Sequence, residues 1–141
     1  MRVPGKNDLQ MLTKLSRVRE KAALAELSAA TARRNAALAR VDALKNMTLE
    51  VIETSEPAVL QKWLLWRDQE LVRRQGQLAR LAAEHLETSQ RCGRVIAENA
   101  VVEDLVEIAR SDAKVENQKR ALYDQAISSH LLSHDVGDQD V

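Results

Sequence analysis

TSEPAVLQKWLLWRDQ, residues Thr54 to Gln69, decides how this chain folds. Before it, every residue from Asp8 to Thr54 is compatible with one helix, with no proline or glycine to interrupt it. Inside it, Glu56 precedes Pro57 and is pushed away from helical angles, while Pro57 suits the first turn of a new helix. Ser55 is positioned to cap that new helix. The stretch therefore predicts a turn at about residues 55–57 between a helix over about 8–54 and another over about 58–130. It also holds both tryptophans, Trp63 and Trp66, of a chain with one tyrosine and no phenylalanine. Three positions apart, they share a side of the second helix. The reading places them at a hairpin tip, packed over Leu49, Val51 and Ile52, with Trp63 nearer the core and Trp66 the outer of the two.

Outward from the break, periodicity supplies the packing faces. On the first helix, Leu24, Leu27, Thr31, Arg34, Leu38 and Val41 alternate steps of three and four and form one stripe. Met11, Leu15, Val18 and a run of alanines from Ala22 to Ala43 form a second stripe on nearly the opposite side. That stripe is either a solvated face of high helix propensity or a second packing face for a close helix. On the second helix, the three-four alternation runs unbroken from Leu60 to Ile127. Such a repeat implies left-handed supercoiling against a partner helix. A short turn between long amphipathic helices favours an antiparallel two-helix coiled-coil hairpin, all-α and a single domain. Asn7 or Asp8 is expected to cap its start, and residues 131–141, acidic, to be a disordered tail.

The helices are unequal, at about 70 Å and about 110 Å for about 1.5 Å per residue. Folded back, the first is exhausted opposite about Asp104. Leu105 to His130 then has no partner in the chain, yet carries Leu105, Ile108, Val115 and Leu122 beside the main repeat. Apolar residues on two faces of an uncovered helix imply a binding partner.

Composition supports the same class and excludes others. An alanine-, leucine- and arginine-rich chain with 2 % aromatic residues suits long helices rather than a globular core. Twenty-one basic residues balance 21 acidic ones, so no net field gathers nucleic acid or anionic lipid. The arginines of the first helix, Arg17, Arg19, Arg33, Arg34 and Arg40, lie among alanines without aromatics and read as a solvated face. A lone Cys92 makes no internal disulfide and suits a reducing compartment. No apolar run approaches a membrane span, and the start has no signal-peptide core, which points to a cytoplasmic protein. His85 occupies a seam position, and His130 and His134 stand four apart near the end without a further fixed ligand. No phosphate loop occurs. The reading expects no catalytic residues, cofactor or metal, and no enzyme.

The order of these features resembles the FliJ family of flagellar type III export stalk proteins and its relative in virulence secretion, the YscO family. The resemblance lies in LQMLTKLSRVREKAALAEL, in KWLLWRDQELVRRQGQL after the break, and in LVEIARSDAKVENQKRALYDQA near the end. In the last, Glu116-Asn117-Gln118-Lys119 stands for the family's charged element. Tyr123-Asp124-Gln125 stands for its acidic pair, half replaced by glutamine. The resemblance implies a monomeric stalk at the inner membrane's cytoplasmic face, inserting into the hexameric export ATPase and contacting the export-gate membrane protein and substrate chaperones. Leu105, Ile108, Arg110, Lys119, Arg120 and Tyr123 are its implied partner contacts. The alternatives are a YscO-like virulence stalk and a self-associating structural coiled coil.

Overall fold

A computed structural model describes residues 5–139, with side-chain surroundings for residues 5–133. Two helices account for it: α1, Lys6–Thr54, and α2, Pro57–Gln139. No strand occurs among the described residues. The fold is the expected all-α hairpin with a longer second helix.

Local chemistry explains the helix ends. At the start of α1 the Gly5 carbonyl accepts the first helical bond, from Leu9 N at 3.1 Å, so Gly5 is the cap. Asp8 is then the third helical residue, and its carboxylate reaches back to accept from Gly5 N at 3.1 Å. This is one half of a capping box. Neither Asn7 nor Asp8 is itself the cap, and α1 starts two residues earlier than the sequence suggests. At the turn, Ser55 N still donates to Val51 O at 3.0 Å, while the Glu56 carbonyl accepts from Leu60 N at 2.8 Å. Glu56, not Ser55, is therefore the cap residue of α2, with Pro57 first in the helix as expected. The expected tail is corrected too: α2 continues through His130 to Gln139. No proline stops it, and Leu131 and Leu132 are good helix formers.

The chain divides into two units, Arg17–Glu98 and a second made of the segment through Ser16 with the segment from Asn99 onward. In the first, α1 and α2 run antiparallel. Arg19 pairs with Glu98 at 2.6 Å, His85 Nε2 lies 3.1 Å from Thr31 Oγ1, and Arg74 Nη1 donates to the Arg40 carbonyl at 2.8 Å. In the second, Asn99 Nδ2 donates to the Ser16 carbonyl at 2.6 Å, again antiparallel.

Burial locates the seam. On α2 the buried and half-buried positions follow the expected repeat from Leu60 through Cys92 and Asn99 to Ala109. On α1 they recur every seventh residue, at Leu9, Ser16, Ala23, Ala30, Ala37, Leu44 and Val51, with a second set three residues before each from Thr13 to Thr48. Leu27, Arg34 and Val41 belong to that second set. Leu24 and Leu38 do not, and stand exposed one residue, about 100°, off the seam. The largest side chains misplace the stripe because the seam is built on alanines that let the helices approach closely. The other alanine stripe, with Met11, Leu15 and Val18, is exposed throughout, the position of a solvated face.

Polar residues inside the seam are paired. Arg34 Nη1 lies 3.2 Å from His85 Nδ1. A guanidinium only donates, so Nδ1 accepts and the proton sits on Nε2, which donates to Thr31 Oγ1. The Thr31 hydroxyl passes its own proton to the Leu27 carbonyl at 2.8 Å. His85 is thus a satisfied seam residue, and Cys92 is buried.

Candidate partner-binding overhang

The unpartnered part of α2 begins where α1 does. Leu9 and Val106 are buried and Ala109 is half-buried, whereas every residue from Arg110 to Ser133 is exposed. The overhang thus starts at Arg110, five residues later than expected, because α1 begins two residues earlier and the register sets Ser16 opposite Asn99. This corrects the placement of Leu105 and Ile108. Both are exposed, but they flank the covered seam on the outer side of α2 rather than standing on the overhang itself.

The remaining expected contacts fall into two places. Arg110 borders a shelf at the start of α1, a concavity of about 670 Å³. Lys6, Leu9, Ala113, Lys114 and Asn117 also line it. Lys119, Arg120 and Tyr123 come together with Glu116 and Asp124 around a shallower cleft of about 370 Å³. Tyr123 is 68 % exposed, the most open aromatic of the chain. Its ring stands at the same repeat position that the seam uses further up α2.

Electrostatically the shelf has one sign. Lys6, Arg110 and Lys114 bring three cations around the apolar floor of Leu9 and Ala113, and no carboxylate lines it. Among the described residues, none of these cations has an ion-pair partner, nor do Glu116, Arg120 and Asp124. A surface with apolar floor and unpaired charges takes an amphipathic segment rather than a small reactive substrate. Sequence reasoning missed Lys6, Leu9, Ala113 and Lys114. The signal was the capping pattern Gly5 to Asp8, which fixes where α1 starts and hence where the shelf opens.

The tryptophans belong to the other unit. Their ring centroids are 6.1 Å apart at 47°. Trp63 is half-buried and Trp66 is 47 % exposed, in the expected order. They do not bury the end of α1 as expected: Val51 is half-buried, but Leu49 and Ile52 remain open. Each is one residue past a seam position, Thr48 or Val51, and so stands about 100° off the seam.

Among the described residues no group of three or more His, Cys, Asp or Glu is placed to hold a metal, and His134 lies outside the described side chains. No helix among them is long and apolar enough to cross a membrane. Comparison of the chain with protein-family models, with curated proteins and with solved structures finds no match.

Proposed function

We propose that this protein is a stalk and adaptor of the bacterial flagellar type III export apparatus. In this reading the overhang of α2 and the start of α1 enter the ring of the export ATPase, and the protein also contacts the export gate and substrate chaperones from the cytoplasmic side. It performs no chemistry of its own. The observation that carries the reading is a two-helix coiled coil whose longer helix outruns its partner at Arg110 and presents Arg110, Lys119, Arg120 and Tyr123 uncovered. A ring that grips a stalk needs such a two-sided, single-helix end, and the resemblance of the C-terminal stretch supports the same assignment. A virulence secretion stalk of the YscO kind would use the same surfaces.

The test is binding to a purified flagellar export ATPase hexamer, with stimulation of ATP hydrolysis as the second readout. The wild-type chain is expected to bind and stimulate. Arg120→Glu combined with Tyr123→Ala is expected to abolish both while leaving helical circular dichroism intact, since both side chains are exposed on the overhang. No binding by the wild type defeats the reading. A tight dimer persisting at nanomolar concentration favours a structural scaffold instead.

A further inference from the structure

We propose that the overhang pairs with the overhang of a second copy of this chain, antiparallel and about a two-fold axis near Gln118. The shelf of each copy then receives Tyr123 and Asp124 of the other.

The α1–α2 seam supplies the first reason. Its repeat positions on α2 do not stop where α1 stops. They continue through Ala113, Glu116, Arg120 and Tyr123 at the same three-four spacing, all exposed. The unpartnered surface is the extension of an established helix–helix interface, so another helix continues it with the same geometry.

Complementarity chooses the occupant. In an antiparallel pair about that axis, Glu116 faces Arg120 of the second copy, and Arg120 faces its Glu116. Ala113, the smallest of the free seam residues, faces Tyr123, the largest, and again the reverse by symmetry. Beside the seam, Arg110 meets Asp124, placing a carboxylate on a shelf otherwise bordered by cations. Every contact occurs twice, as a two-fold interface requires. Within one copy Arg110 and Asp124 cannot meet. They lie on one helix, about 20 Å apart at about 1.5 Å per residue. A parallel, in-register pair is disfavoured, because it sets Glu116 against Glu116 and Arg120 against Arg120. Lys119 is the one like-charged pair brought near the axis, and its exposed stem turns the ammonium to solvent.

Length limits the affinity. Overlap runs from about Arg110 to Ala126, beyond which the incoming helix meets the start of α1. Two to three heptads give a weak dimer that dissociates on dilution. The inference does not rest on the stalk reading. It adds that a second copy covers the overhang and leaves it when a tighter partner arrives.

The test is sedimentation equilibrium of the full chain from nanomolar to several hundred micromolar. Wild type is expected to rise from the monomer mass toward twice that mass across the micromolar range. Arg110→Glu and Asp124→Arg each place two like-charged contacts in the pair and are expected to weaken it at least tenfold. An equal mixture of the two variants, and the doubly substituted chain, restore both contacts and are expected to recover wild-type association. Both substituted positions are exposed, and circular dichroism verifies that each variant keeps its helices. A wild type monomeric at every concentration overturns the proposal, including the case where it binds a foreign acidic helix instead. So do single variants that associate like wild type, or a mixture that fails to recover.

Discussion

Among the described residues Leu44 is the one large side chain with no exposed surface, at the seam beside Leu71. A two-helix interface has few such positions, so a shortened side chain here removes a large share of the local buried contact. Leu44→Ala is expected to cost about 2–4 kcal/mol of stability, read from the shift in a urea melt at unchanged slope. Glu70 tests a polar contact. Arg73 donates to its carboxylate at 2.6 and 3.2 Å and Arg74 at 3.0 Å, which holds Glu70 below the usual carboxylate range. A carboxyl depressed in the fold contributes fully above the ordinary carboxylate range and loses that contribution as pH falls through its lowered value. Glu70→Gln is therefore expected to flatten the acid limb of a stability–pH profile and to leave the limb above neutrality unchanged. Solvent screening keeps the effect small. Identical acid limbs for wild type and variant refute it.

At the scale of the element, α2 carries two glycines in its helical interior, Gly76 and Gly93. A methyl group added at either meets nothing within 4 Å, and neither has a positive φ. Each replacement by alanine is expected to raise stability by about 1 kcal/mol, additively because the sites are far apart, and measurable as a higher melting temperature. The same element shows what the sequence reveals. Its repeat from Leu60 to Ala109 could be read position by position, because leucine and valine mark the buried side and intervening charges mark the other. On α1 the reading slipped by one residue at Leu24 and Leu38. There the seam positions are Ala23, Ala30 and Ala37, and alanine is equally at home on a seam or in solvent, so hydrophobicity does not tell the two apart. The cap of α1 was missed for a related reason: Asp8 serves from the third helical position by reaching backward, which looks in sequence like a cap three residues late.

At the scale of the whole molecule, the break at Ser55–Glu56 and the inequality of the helices followed from proline and length alone. The site was legible only in part. Arg110, Lys119, Arg120 and Tyr123 do stand uncovered, but the shelf depends on the start of α1 and on the register of the two helices, which together move its boundary from Leu105 to Arg110. The polar seam contacts were equally beyond the sequence. That Asn99, 3 % exposed, donates to the Ser16 carbonyl is a property of the register of two distant segments. Such a buried amide fixes alignment more than it adds stability.

The start of α1 opposite Arg110 divides one continuous helix into two regimes of opening. Up to Ala109, breaking a backbone hydrogen bond of α2 also strips a neighbouring helix from the seam. Beyond it, each bond is guarded by its own helix alone, which frays and reforms on a microsecond timescale or faster. Amide hydrogen exchange is expected to show a step, with slow exchange around Cys92 and Asn99 and rapid exchange at Lys119 and Arg120, without any break in helical structure between them. Trypsin at low dose should accordingly cut first after Lys114, Lys119 or Arg120, and leave the arginines beside the seam for last.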